Sequence, residues 1–148
     1  MPQNINFIDL NEKELHLVLS WRNNPNIKKW MHTQDDITIE EHLNFINSLK
    51  NSKNKDYFLV KKEDKYLGVI DLNGDYLGIY ANPNMKKVGD ILLQQIINFA
   101  FDKKKLSVLK AEVYKKNLPA IRLYNRFKFT TIKDDNKMLT MELNCENR

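Results

Sequence analysis

The stretch from Tyr76 to Phe129 leaves this chain few ways to fold. It opens with Tyr76-Leu77-Gly78-Ile79-Tyr80-Ala81-Asn82-Pro83, a run of strand formers stopped by a proline. A polar loop over residues 84–90 leads to residues 91–101, whose apolar spacing predicts a helix. Residues 108–114 read as a second strand, and residues 117–129 as a second helix with its exit. Strand, glycine-bearing loop, helix, strand, helix is a layered α/β unit whose loop sits at a helix start. Unpaired backbone N–H groups there, together with the helix dipole, favour an anion such as phosphate. Lys86, Lys87, Val88, Gly89 and Asp90 are the candidates to hold it.

The second strand and second helix carry side chains able to do chemistry. Asn117, Ile121 and Tyr124 stand at i, i+4 and i+7, on one helix face. Asn117 has the side chain of an N-cap, and Pro119 is tolerated in the first turn. In the strand before them, alternation puts Lys110, Glu112 and Tyr114 on one face and Ala111 and Val113 on the other. Glu112 is thus a carboxylate able to face a cleft, either as a base acting through water or as a lysine's partner on the sheet surface.

The remaining elements complete a single domain, residues 1–148. Residues 5–10 predict a first strand. Asn11 with Glu14 makes a capping box, and Leu15, Val18 and Leu19 follow at core spacing. Pro25 predicts the end of that helix. Arg22 then lies near the helix end beside Trp21, where it either caps carbonyls or grips a diphosphate or carboxylate bidentately. Residues 27–33, with Trp30, Met31 and His32, read as irregular. A second capping box, Thr38 with Glu41, opens a helix through Lys50 with one stripe of Ile39, Leu43 and Ile46 and a neighbouring one of His42, Phe45 and Leu49. His42 on that mixed face is either a packed, hydrogen-bonded residue or a ligand contact. Residues 57–60 and 66–72 read as strands, and Asn73-Gly74 is a strong hairpin signal into the Tyr76 strand. Residues 130–132 and 138–143 close the series. The expected fold is α/β (α+β): a mixed, mostly antiparallel central sheet of about seven strands with helices on both faces.

Composition narrows the functions available. At 148 residues the chain can bury a core without metal or disulfides, and its one cysteine, Cys145, excludes an internal disulfide. No apolar run spans a bilayer, and the first residues lack a basic-then-apolar signal, so a cytoplasmic protein with no membrane partner is expected. No His, Cys or carboxylate set has metal-ligand spacing, so no metal is expected. The net charge of +5 suits a polyanionic ligand, whether nucleic acid or a small molecule.

At residues 84–129 the chain resembles the GNAT superfamily of acetyl-CoA-dependent N-acetyltransferases. Their loop pattern, Gln/Arg-x-x-Gly-x-Gly/Ala, aligns with Asn84-Met85-Lys86-Lys87-Val88-Gly89, where Gly89 matches, Asn84 holds the basic-or-amide place and Lys87 replaces the first glycine. Asn117-x-x-Ala120-x-x-Leu123-Tyr124, followed by Phe129, is similar to the family's Asn-x-x-Ala-x-x-Leu-Tyr-x-x-x-Gly-Phe, with Lys128 in the glycine's place. The resemblance implies acetyl-CoA as cosubstrate, its pyrophosphate on the 84–90 loop and Asn117 and Tyr124 beside it. It also implies a splayed strand pair, 76–80 and 108–114, whose free backbone near Ile79 or Tyr80 holds the thioester carbonyl. Preorganised donors of that kind lower acyl-transfer barriers by roughly 3–4 kcal/mol. Tyr124 stands where the family's tyrosine protonates the departing thiolate. A free tyrosine near pKa 10 and a thiol near 8.5 make full transfer uphill by about 2 kcal/mol, so donation of a hydrogen bond to sulfur, or a relay through water, meets the same need. Many members carry a glutamate where Tyr76 stands here, which leaves Glu112 as the base candidate.

Trp21-Arg22-Asn23-x-Pro25, the Trp30-Met31 loop and residues 41–46 are similar to one branch of that family. Its enzymes acetylate the 4-amino group of UDP-linked 4-amino-4,6-dideoxy sugars on the route to pseudaminic acid, used in flagellin glycosylation. The likeness implies a UDP-linked amino sugar as partner, with no nucleic acid. The likeness puts Arg22, Met31, His32, His42, Phe45, Tyr76 and Tyr80 on the substrate side: Met31, Phe45, Tyr76 and Tyr80 either stack on sugar or base or belong to the core, and Arg22 and His42 are the candidates to meet a diphosphate. Two alternatives stand beside this reading: an acetyltransferase of protein N-termini, and a non-catalytic acyl-CoA-binding or nucleic-acid-binding module. A homodimer is compatible with either enzyme reading.

Overall fold

The computed structural model describes residues Met1–Arg148. Seven strands form one sheet in the order β1-β2-β3-β4-β5-β7-β6. They are β1 (Gln3–Asn6), β2 (Lys55–Lys62), β3 (Lys65–Asn73), β4 (Tyr76–Ala81), β5 (Val108–Tyr114), β6 (Thr130–Asp134) and β7 (Met138–Asn144). Every neighbouring pair is antiparallel except β4 and β5, which run parallel. Five helices accompany them: α1 (Glu12–Arg22), α2 (Pro25–Lys28), α3 (Ile39–Leu49), α4 (Gly89–Asn98) and α5 (Leu118–Arg126).

Strand alternation feeds two cores, one on each face. Leu72, Leu77, Leu109, Ala111 and Val113 meet Leu92, Leu93, Ile96 and Leu123 from α4 and α5. On the opposite face, Leu59 and Val69 meet Val18, Trp21, Ile27, Ile46 and Leu49 from α1, α2 and α3. Both capping boxes form: Asn11 and Thr38 each accept from the backbone N–H three residues on, and Glu14 and Glu41 reach back. At the β3–β4 hairpin Asn73 pairs with Tyr76, and Gly74 takes the left-handed φ of +62° that this tight turn requires.

Several expectations need correction. The first strand stops at Asn6, whose side chain accepts from the Ile8 N–H and turns residues 7–9 into a short 3-10 coil. Pro25 begins a helix as well as following one: it occupies the first position of α2, where its missing N–H costs nothing. Residues 27–33 are therefore helical at their start. On α3 the buried stripe is His42, Ile46 and Leu49, while Ile39 and Leu43 are exposed, because the sheet meets the helix one position around from the expected stripe. Helix α4 starts at Gly89 and widens after Asn98 into a π-type turn, in which the Lys104 N–H donates to the Phe99 carbonyl.

Candidate active site

The site begins where β4 and β5 part. They pair only at Tyr76 and Lys110, with the Lys110 N–H donating to the Asp75 carbonyl at 2.7 Å. The ladder on the other edge of β4 decides which groups face the gap. The Asn82 N–H donates to the Leu67 carbonyl, and residue pairs along an antiparallel ladder alternate between bonded and non-bonded. Tyr76, Gly78 and Tyr80 therefore bond toward β3, whereas the N–H of Ile79 points into the gap with no strand partner. Of the two residues expected near the thioester carbonyl, Ile79 has the free backbone donor. Tyr80 presents its side chain to the α1–α3 face.

A cavity of about 900 Å³ occupies the splay, lined from both sides of the sheet. Met85, Asn117, Ala120 and Tyr124 reach it from the α4–α5 side. On that side α4 starts after Val88 with no side chain bonded to its first N–H groups, so they remain available to an anion. Lys86 and Lys87 stand exposed beside that helix start. The two lysines that replace glycines of the family pattern both adopt glycine's conformation: φ is +62° at Lys87 and +73° at Lys128. The backbone path survives, at the strain a side chain incurs in the left-handed region. At Gly89 a Cβ would meet the Leu123 side chain at 3.2 Å, which shows how closely α4 and α5 approach. The Asp90 carboxylate is engaged by Arg126 at 2.6 Å on the surface.

On α5, the Asn117 side chain accepts from the Ala120 N–H at 3.3 Å and fixes the helix start. Tyr124, two turns on, is 5% exposed and lies against Phe129 with ring centroids 5.3 Å apart. Burial, helped by the nearby Asp71 carboxylate, holds the Tyr124 hydroxyl well above the usual tyrosine range. A harder-to-ionise phenol is a better hydrogen-bond donor than proton donor here.

From the opposite face come Arg22, Met31, His32, His42, Phe45, Tyr76 and Tyr80, so all seven residues expected on the substrate side line this one cavity. Arg22 donates through Nη2 to the Thr33 carbonyl at 2.7 Å, which ties α1 to the Met31–His32 segment. Its Nη1 is buried without a protein partner, and so is Nε2 of His42. Burial lowers the His42 pKa, against a smaller opposite effect from the Leu15 backbone, so its ring is neutral near pH 7. Phe45 packs edge-on against Tyr57 at 4.9 Å. Glu112 faces the cavity from β5, but its side chain is 43% exposed and lies 3.7 Å from His32 Nε2.

Among the lining residues that escaped the sequence reading, Asp71 is the buried carboxylate. Asp71 of β3 sits in a cross-strand row, paired with Tyr57 on β2 and Gly78 on β4. A Cβ added at Gly78 would fall within about 3 Å of all three atoms of the Asp71 carboxyl group. That carboxylate therefore fills the space a β4 side chain would otherwise take. It accepts one hydrogen bond, from Asn73 Nδ2 at 3.0 Å. Surrounded by protein apart from the cavity, its pKa is pushed up to about 7 by burial, with the Asn73 bond working the other way. The only signal in the sequence was a lone carboxylate inside the apolar run Val69-Ile70-Asp71-Leu72.

A free strand N–H beside a parallel gap, an uncapped helix start and a buried tyrosine fit the needs of acyl transfer from CoA. The Acetyltransferase (GNAT) family matches residues 15–129, and the chain belongs to it. It is 42% identical over 135 residues to Acetyltransferase PseH of Campylobacter jejuni subsp. jejuni serotype O:23/36, a match covering 88% of this chain and 85% of that protein. It also resembles the crystal structure of Campylobacter jejuni N-acetyltransferase PseH in complex with acetyl coenzyme A, with a TM-score of 0.84 and 35% identity over 98% of this chain and 99% of that one. The spermidine N-acetyltransferase from Vibrio cholerae in complex with CoA and spermine shares the fold, with a TM-score of 0.86 at 16% identity over 99% and 96% of the two chains. The chain is an acetyl-CoA-dependent N-acetyltransferase. No group of three His, Cys, Asp or Glu side chains is placed to hold a metal ion, and no helix is long and apolar enough to cross a membrane.

Proposed function

We propose that the acceptor is the 4-amino group of a UDP-linked 4-amino-4,6-dideoxy-N-acetyl-altrosamine-type sugar, acetylated by direct attack on the route to pseudaminic acid. The observation that carries this reading is the buried, unpartnered Nη1 of Arg22 on the cavity wall. A buried guanidinium N–H without a partner is rare in a folded protein, and a diphosphate supplies the partner that its fork geometry suits. His42 supports a nucleotide in another way. Its ring is neutral, so Nε2 offers an acceptor to a uracil N–H or a hydroxyl when the other ring nitrogen bonds the Leu15 carbonyl. Met31, Phe45, Tyr76 and Tyr80 supply apolar and aromatic surface for sugar and base.

In this reading the chain performs three tasks. The start of α4 with Lys86 and Lys87 holds the CoA pyrophosphate, and Asn117 fixes α5 against the pantetheine arm. The Ile79 N–H takes the growing negative charge on the thioester oxygen as the amine attacks. Tyr124 donates to the departing sulfur. Thermal shifts with UDP and with acetyl-CoA, measured on the wild type and Arg22→Met, test the assignment. The expected result is a normal acetyl-CoA shift in both proteins and a UDP shift lost in the variant, with KM for the amino sugar raised roughly 10–100-fold. Turnover of a peptide N-terminus or a polyamine, with no response to UDP, overturns it.

A further inference from the structure

We propose that Asp71 is the general base that removes the proton from the acceptor amine. The assignment follows from where the chain puts its carboxylates. An amine entering the β4–β5 gap arrives as an ammonium ion and must lose a proton before its lone pair can attack. Glu112, the carboxylate expected from the sequence, stands largely in solvent beside His32. Asp71 lines the cavity inside the sheet, in the notch left by Gly78, one residue along β4 from the free N–H of Ile79. Its hydrogen bond from Asn73 leaves acceptor capacity open toward the cavity. The titratable groups that feel its charge are phenols: Tyr57 of β2, Tyr80 of β4 and Tyr124 of α5, with Arg22 of α1 near Tyr80. Burial holds Tyr57 up to about 12, and Tyr80 and Tyr124 higher still, so none competes for the proton near neutral pH. A carboxylate that titrates near 7 is matched to accept an amine proton and release it again each cycle.

The proton balance closes without another reactant. Asp71 takes the first proton from the ammonium group. The nitrogen lone pair forms the C–N bond to the acetyl carbon, and the carbonyl π pair moves to oxygen, facing the Ile79 N–H. As that pair returns, the C–S bond breaks and its electrons leave on sulfur. Tyr124 steadies the thiolate by donating a hydrogen bond, and the surplus proton left on nitrogen passes to sulfur, so amide and thiol result. Asp71 then loses its proton to water.

The proposal deepens the acetyl-transfer reading and borrows its acceptor, so its test separates the two. Rates with acetyl-CoA and the UDP-linked 4-amino sugar are followed by loss of thioester absorbance across pH for the wild type, Asp71→Asn, Glu112→Gln and Gly78→Ala. The wild type should show an acid limb near pH 7 in kcat/KM. Asp71→Asn should abolish that limb and lower kcat by about a hundredfold or more, with acetyl-CoA binding retained. Gly78→Ala, whose methyl group displaces the carboxylate, should lose activity without adding to the loss in the double variant. If Glu112→Gln removes the limb and Asp71→Asn keeps it, the assignment is overturned. If the wild type neither binds nor turns over this sugar, the acceptor reading alone fails. The base assignment is then decided by difference infrared titration of the acetyl-CoA complex, wild type against Asp71→Asn. A carboxyl band titrating near neutrality and absent from the variant supports it, and a carboxylate ionised down to the ordinary range overturns it.

Discussion

A carboxylate held for catalysis inside a sheet should cost the fold stability, and the cost can be measured. Asp71 moves from an ordinary carboxyl value of 3.8 to about 7 in the folded chain. At about 1.4 kcal/mol per pH unit, that gap corresponds to about 4 kcal/mol against the ionised folded form, which cavity water trims to about 2–4 kcal/mol. The sign follows from proton counting. Between about pH 4 and about pH 7 the folded Asp71 keeps a proton that the unfolded one has released, so its contribution to stability falls as pH rises through that window and is flat outside it. Asp71→Asn keeps the shape and an oxygen to accept from Asn73, but cannot ionise. Urea unfolding of both proteins at about pH 5 and about pH 8 should therefore show a variant whose advantage grows with pH, by about 2 kcal/mol or more at the alkaline end. Equal pH dependence in the two proteins would refute the reasoning, because it would mean that water already solvates the carboxylate in the native state.

Other outcomes follow from the same geometry. Tyr124→Phe should lower kcat about tenfold or more while the acetyl-CoA thermal shift stays as in the wild type, since the ring and its Phe129 contact remain. Asn117→Ala removes the α5 cap and should cost about 1 kcal/mol in chemical denaturation, with a larger proportional loss of activity because α5 carries Tyr124. Lys128→Gly should change stability by no more than about 1 kcal/mol, as relief of left-handed strain opposes the added chain entropy of glycine. Lys87→Gly keeps the left-handed turn but removes a charge beside the pyrophosphate, so the acetyl-CoA thermal shift should shrink; an unchanged shift would mean that the α4 N–H groups hold the pyrophosphate without Lys87.

Much of this architecture was legible because local chemistry dictated it. Asn11 with Glu14 and Thr38 with Glu41 announced two helix starts, Asn73-Gly74 a hairpin, and alternation the faces of β5. Those signals act over a few residues, so a linear reading finds them. The stripe on α3 was misjudged because Ile39 and Leu43 are apolar yet meet no sheet, and which side of a helix is covered depends on where distant strands lie.

The sequence by itself determined the strand–loop–helix–strand–helix unit, the capped start of α5 and the one face that carries Asn117 and Tyr124. Each rests on spacing along one element or on one cap. Tertiary structure alone decided that β4 and β5 share a single pair, which frees the Ile79 N–H, and that Lys87 and Lys128 take the turns of glycines. It alone set Asp71 in the notch of Gly78, with a raised pKa. A carboxylate's acidity is the work of the atoms around it, and those atoms come from β2, β4 and α5, far apart along the chain.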